Sequence, residues 1–291
     1  MFGITIRRKT VRRGVYQAII YLMMVPLAAV FATPLIWLIS SSLKPDAQIA
    51  VWPPVWIPNP AQWSNYPRVL DPGPDGGHFL LYLKNTLTIA VTGTVGGVFT
   101  ASLTAFGFTR LRFPGRSFLF AVLLATMMLP GVVTLIPTYI LWRRLTLVGT
   151  FAPLIVPAYF GGGAFFIFLL RQSFMGIPHE LFEQAKIDGA SSWRQYWQIM
   201  LPLCKPVLST VAIFSLMGNW NDFLGPLIYL NSPDTFTLSL GLRQYISMSG
   251  GTVHFQDQMA FAFLMTFPLL LAFFFFQQYF IKGVVMTGIK G

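Results

Sequence analysis

Three groups of residues in this chain have types and spacings that bear on chemistry. The polar stretch 177–202 carries Glu180, Glu183, Gln184, Lys186, Asp188 and Arg194 between long apolar segments. Asn219, Trp220, Asn221 and Asp222 form a polar run inside an otherwise apolar one. The histidines, His78, His179 and His254, are far apart in sequence. None belongs to an H-E-x-x-H pattern or another metal spacing. No G-x-x-x-x-G-K-[ST] occurs, so the phosphate-cradling amides and lysine of that loop are missing. Cys204 is the single cysteine and offers neither a disulfide nor a metal pattern. The reading is of a non-enzyme with no catalytic, metal or cofactor-binding residues of its own.

The stretch 177–202 reads as two short helices in a bend. Pro178 suits a first helical turn, where a missing N–H costs little. Glu180 and Glu183 favour the N-terminal half of that helix. Gly189 lets it stop and turn. Ser192 with Gln195 resembles a capping box for the second helix, and Pro202 marks the approach to the next apolar segment. Ala185 and Gly189 are small and four apart, on one helical face that could admit close approach of a partner surface. Glu183 could make a charge-assisted contact there. The plainer alternative is an amphipathic helix lying at the membrane surface.

The elements around this stretch are membrane spans. Of 291 residues, 55% are hydrophobic and 10% charged, against about a quarter charged in soluble domains. Mean hydropathy is +0.63. The apolar residues gather into windows near twenty residues long, which fit spans rather than a soluble core. The expected fold class is an all-α polytopic membrane protein, one transmembrane domain over 1–291. Its six spans are placed near 18–39, 80–108, 118–141, 151–170, 207–230 and 259–281. The first is too long for a signal-peptide core and is read as retained. Proline-broken segments leave room for a count one higher or lower. Residues 44–79 and 231–258 form two outer loops. Trp52, Trp56 and Trp63 in the first are read as interfacial anchors. Gly93, Gly97, Ala101 and Ala105 recur every four residues, a seam for close helix packing. Gly161, Gly162 and Gly163 invite close packing or a hinge.

Charge sets the orientation. With 177–202 and both termini inside, fourteen of the twenty basic residues lie inside, and six, Lys44, Arg68, Lys84, Arg143, Arg144 and Arg243, lie outside. Arg143 and Arg144 run against the rule. The net charge of +11 thus flanks spans and does not build a nucleic-acid surface, which would need clustered Lys/Arg with aromatic platforms. Asp222 falls roughly 22 Å past residue 207 at 1.5 Å per residue, in the outer half of its span. Such a charge is costly unless it faces protein or water. Asn219, Trp220, Asn221 and Asp222 therefore either line or gate a translocation path, or form a buried network that brackets the bend at Pro226.

The spacing of Glu183, Gln184 and Ala185, then Asp188, Gly189 and Ala190, then Ile199, Leu201 and Pro202, resembles the EAA loop of ABC-importer permeases. Gln184 departs from the family, which usually has alanine there. The extended motif, with the 220–223 run and the closing residues 288–291, is similar to MalG-like permeases of the carbohydrate branch. The resemblance implies a type I importer fold in the inner membrane of a bacterial or archaeal cell, with both termini cytoplasmic. It implies a homologous second permease, two cytoplasmic ATP-binding subunits holding ATP and Mg2+, and an extracytoplasmic solute-binding protein. It implies a sugar as cargo, a polyol or glycerol phosphate as the alternative, and the 177–202 loop as the point of ATPase coupling. The tail 283–291 would also touch the ATPases. A self-sufficient secondary transporter is the rival class. It expects inverted repeats and mid-membrane broken helices, and no clear internal repeat occurs.

Overall fold

The computed structural model describes residues 16–70, 78–243 and 254–275 in full, and the helical backbone alone over 2–15, 244–248 and 276–288. No strand occurs among the described residues. In chain order the helices are α1 (Phe2–Ser42), α2 (Asn65–Leu70), α3 (Phe79–Arg110), α4 (Arg116–Thr126), α5 (Gly131–Arg144), α6 (Ala152–Ile155) and α7 (Ala164–Met175). They continue with α8 (Glu180–Ile187), α9 (Ser192–Leu203), α10 (Lys205–Asn221), α11 (Leu224–Tyr229), α12 (Leu238–Met248) and α13 (Phe255–Gly288).

Four stretches among the described residues are long and apolar enough to cross a membrane: Tyr16–Ser42, Phe79–Arg110, Ala152–Met175 and Phe255–Phe275. Two bent pairs, Arg116–Thr126 with Gly131–Arg144 and Ser192–Leu203 with Lys205–Asn221, bring the number up to six where each is one span. The third expected span is not straight. α4 and α5 meet at 98°, and Pro130 sits at the head of α5 while Pro137 stays inside it. Pro130 is the break because its ring opposes helix on the preceding residue. The fourth span is broken as well. A 3-10 turn over Val156–Tyr159 leads to Gly161, Gly162 and Gly163, all at positive φ, before α7 begins. The fifth ends early: α10 stops at Asn221, and after a break at Asp222 the short α11 follows.

α3 is the central helix, with α7 and α10 packed against it. Its small-residue seam makes this possible. Gly93, Gly97, Ala101 and Ala105 are all buried. A Cβ on Gly93 would lie 3.1 Å from Asn219 Nδ2, and one on Gly97 would lie 3.7 Å from Ser215 Oγ. From the other side, a Cβ on Gly162 would run into the Gly97 carbonyl oxygen and reach 2.7 Å from Ala101 Cβ. The glycine triplet therefore provides both a break and a close approach. α1 lies at the periphery, packed on α13, with its apolar surface outward.

The described parts of the 44–79 and 231–258 loops are tied to helix ends. Arg68 of α2 bridges to Asp257 at 2.8 Å, and the Asn65 amide donates to the carbonyls of Ser42 and Lys44. Asn85 donates to the carbonyls of Asp234 and Phe236, and Thr86 Oγ1 accepts from Leu238 N–H. Trp52, Trp56 and Trp63 are all exposed, Trp56 packing edge-on against Trp37 at 5.2 Å and Trp63 stacking on Tyr66 at 6.4 Å. Arg143 and Arg144 form the last turn of α5, where the helix dipole favours cations. The tail residues 289–291 lie outside the described residues.

Candidate functional site

The residues of 177–202 stand on a rigid base. α8 opens with the His179 carbonyl accepting from the N–H groups of Phe182 and Glu183 at 3.0 and 3.1 Å. Pro178 therefore lies just outside the helix rather than in its first turn. Phe182 is only 5% exposed and packs into a core with Ile167, Phe174, Tyr196 and Met200. Arg110, at the end of α3, stacks its guanidinium over the Phe182 ring at 4.0 Å. The same guanidinium donates to the carbonyls of Phe174 and Ile177 at 2.9 and 2.8 Å. Three elements, α3, α7 and α8, are thus pinned at one point.

With Phe182 inward, the helical period sends its neighbours out. Glu183, Gln184, Asp188 and Gly189 are exposed, and Ala185 and Ala190 are half-buried. Ile187 is 85% exposed. Among the described residues, Glu180, Glu183 and Asp188 take part in no ion pair. The outward side of α8 thus carries an exposed apolar residue, Ile187, and carboxylates with no ion-pair partner among the described residues.

The end of α8 is a Schellman turn. Gly189 N–H donates to Lys186 O at 3.1 Å, Ala190 N–H donates to Ala185 O at 2.8 Å, and Gly189 has φ +78°. A Cβ on Gly189 would meet nothing within this chain. Glycine is favoured there by backbone conformation and not by lack of space.

The expected capping box shifts by one residue. Ser191, not Ser192, caps α9, accepting from Arg194 N–H at 3.3 Å. Gln195 reaches back to the Ala190 carbonyl at 3.1 Å instead of to the cap. α9 contains a π turn at Tyr196–Met200. Tyr196 is fully buried there and shares a 2.6 Å hydrogen bond with Ser102 of α3. Ile199 and Leu201 pack against the same core, and Pro202 is exposed. An 82° bend then turns the chain into α10, so 177–202 runs across the end of the bundle.

Sequence reasoning missed the base. In the sequence Arg110 reads only as one of the basic residues flanking the spans, and no motif includes Phe182, Tyr196 or Ser102. The available signal was that Phe182 and Tyr196 are bulky aromatic residues inside a polar stretch.

The second group does not form one cluster. Trp220 is buried and donates Nε1–H to Met265 O at 3.3 Å. Asn219 faces the α3 seam, its amide 3.5 Å from both Thr94 Oγ1 and Ser215 Oγ. Asn221 is exposed and donates to Met217 O. Asp222 is extended, at the break after α10. Its Oδ1 accepts from Gly225 N–H at 3.1 Å, and its carbonyl accepts from Ser239 Oγ at 2.6 Å. Consecutive residues on a helix point about 100° apart, which is why the four diverge. Among the described residues, no group of three metal-ligating side chains occurs.

The chain is similar to known proteins. A family model described as "Binding-protein-dependent transport system inner membrane component" matches residues 93–286, from the middle of α3 into α13. The chain is 30% identical over 267 residues to the Arabinooligosaccharides transport system permease protein AraQ of Halalkalibacterium halodurans, covering 91% of this chain and 93% of that one. It is 32% identical over 242 residues to the sn-glycerol-3-phosphate transport system permease protein UgpE of Yersinia pestis, covering 82% and 85%. Its fold matches a bacterial ABC transporter involved in the import of the acidic polysaccharide alginate, with a TM-score of 0.78 at 22% identity over 91% of this chain and 96% of that one. The family is one of non-catalytic transport subunits, and its membership removes the secondary-transporter rival. The chain belongs to the binding-protein-dependent transport system inner membrane components, the permease subunits of ABC importers.

Proposed function

We propose that this chain forms half of the translocation path for an oligosaccharide, and that α8 receives the push of ATPase subunits. The single observation behind this reading is the build of α8: an exposed, unpaired face on a helix whose inner side is pinned by Phe182 and Arg110. A helix so held passes displacement to its base instead of absorbing it.

Two cytoplasmic ATP-binding subunits would hold ATP and Mg2+, and this chain would bind neither. A homologous permease would supply the other half of the path. An extracytoplasmic solute-binding protein would dock on the 44–79 and 231–258 loops. Both termini and 177–202 would face the cytoplasm. Glu183, Gln184, Ala185, Asp188, Gly189 and Ala190 would make the ATPase contact, with Ile199, Leu201 and Pro202 holding the bend behind it. Motion at α8 reaches α3 through Arg110–Phe182 and Ser102–Tyr196. α3 carries the seam on which α7 and α10 slide, so two packings of that seam would give inward- and outward-open states. Asn219 lies on this seam, and the Asp222 break lies beyond it, as gating residues would.

The oligosaccharide rests on the AraQ relative, and a second reading, a glycerol phosphate, rests on the UgpE relative. The test is ATP hydrolysis by the reconstituted complex with its binding protein, offered arabinooligosaccharides, alginate oligosaccharides or sn-glycerol-3-phosphate. Stimulation by a saccharide alone supports the first reading, and stimulation by glycerol phosphate alone replaces it with the second.

A further inference from the structure

A cavity of about 520 Å3 opens beside the base of α8, walled by the end of α3, the 111–115 turn, the start of α4 and His179. Arg110, Arg112, Arg116 and His179 line it, and no carboxylate does. Among the described residues the ion pairs are Arg68–Asp257 and His254–Asp46, both at the opposite end of the bundle. Three guanidinium groups therefore share one open cavity without a counter-charge.

Two details sharpen the imbalance. Arg110 commits Nη2 to the Phe174 and Ile177 carbonyls, and its buried Nε has no partner. Arg116 is the first residue of α4, where the helix dipole disfavours a cation, and that first turn holds no acidic residue and no side-chain cap. The uncompensated charge and the cation at the head of α4 are unfavourable in the chain alone, and an anion in the cavity relieves both.

We infer that this cavity binds the phosphate diester of an anionic phospholipid from the leaflet on the α8 side. Basic pockets between membrane helices suit such headgroups. The exposed side chains of Phe118, Leu119 and Val122 run along α4 from the cavity mouth and offer an apolar track for acyl chains. Inorganic phosphate has the same oxygen chemistry but would leave that track empty. Arg110 lines the cavity and also stacks on Phe182, so a bound headgroup steadies the base of α8. The inference uses the membrane placement of the family and α8 as its landmark. It does not depend on which solute is carried.

The test is native mass spectrometry of the complex, purified with its partner subunits and offered phosphatidylglycerol or phosphatidylcholine. Phosphatidylglycerol is retained preferentially, and millimolar inorganic phosphate does not displace it. Arg112→Ala with Arg116→Ala weakens its retention roughly thirtyfold, at about a factor of five per basic residue. Arg112→Lys with Arg116→Lys retains it. If the double alanine variant fails to assemble, Arg112→Ala alone, in an exposed turn, is expected to lose roughly fivefold. Equal retention of the two lipids, unchanged phosphatidylglycerol in the alanine variants, or its displacement by millimolar phosphate overturns the inference. So does loss of the ATPase subunits from the alanine variants with lipid retention intact, which would assign the cavity to an acidic ATPase surface. The readout is lipid mass and not transport, so a failure here leaves the importer reading untouched.

Discussion

Arg110 holds its guanidinium 4.0 Å above the ring of Phe182 while donating to two carbonyls at the end of α7. The contact fastens a short exposed helix to the longest described buried span. A stacked, hydrogen-bonded guanidinium keeps its geometry under load, because its planar fork loses little entropy when fixed.

Phe182→Ala removes both the stack and the core burial. A buried phenylalanine truncated to alanine costs about 3–5 kcal/mol. The variant is expected to lower the melting temperature of the complex and to cut the ratio of substrate-stimulated to basal ATP hydrolysis at least severalfold. Phe182→Leu, which keeps most of the burial, should fall between. A wild-type stimulation ratio in the alanine variant would refute the role given to this base.

Gly189 separates backbone need from contact. Its φ of +78° costs a β-branched residue about 1–2 kcal/mol, and nothing in the chain crowds a Cβ there. Gly189→Val should reduce ATPase co-purification while leaving membrane insertion intact. Gly189→Asn, which tolerates this φ, should restore much of it. If asparagine fails as badly as valine, the partner needs the bare glycine surface itself.

Gly162 and Gly97 face each other across the α3 seam, but they are not equivalent. Gly162→Ala drives a methyl into the Gly97 carbonyl at a positive φ of 65°. Overpacking of this kind costs about 1–3 kcal/mol, and the strain adds to it. Gly97→Ala meets Ser215 Oγ at an ordinary 3.7 Å. Thermal stability in detergent should therefore drop clearly for Gly162→Ala and only slightly for Gly97→Ala. The reverse order would contradict this packing.

Asp222 caps the turn into α11 through Gly225 N–H. Asp222→Ala should cost about 1 kcal/mol of stability. Asp222→Asn keeps the acceptor, so the substrate concentration for half-maximal ATPase stimulation should stay within about twofold. A large shift in the asparagine variant alone would mean that the carboxylate meets the solute.

Arg68→Ala leaves the Asp257 carboxylate, 3% exposed, without its cation. Loss of such a partner costs about 1–3 kcal/mol. The 44–79 loop should become accessible to limited proteolysis in this variant while ATPase subunits stay bound. Unchanged cleavage would show that the loop is held by its other contacts, among them the Asn65 amide on Ser42 and Lys44 and the Gln256 amide on Asp46.

The sequence by itself determined the all-helical membrane class, the position of the polar stretch between the fourth and fifth spans, and the turn at Gly189. These depend on composition, on windows near twenty residues and on a φ that L side chains avoid, all of which are local. The EAA-like spacing also carried the family, because residue types at long fixed intervals survive without coordinates. Only the tertiary structure decided that the third span bends by 98° at Pro130 rather than at Pro137, since either proline satisfies the same local rule. It alone joined Arg110 to Phe182 and Ser102 to Tyr196, contacts between residues far apart in the chain. It also dispersed Asn219, Trp220, Asn221 and Asp222, which adjacency had suggested as a unit. Neighbours in sequence point apart on a helix, and partners are set by which faces meet once the small-residue seam of α3 draws its neighbours in.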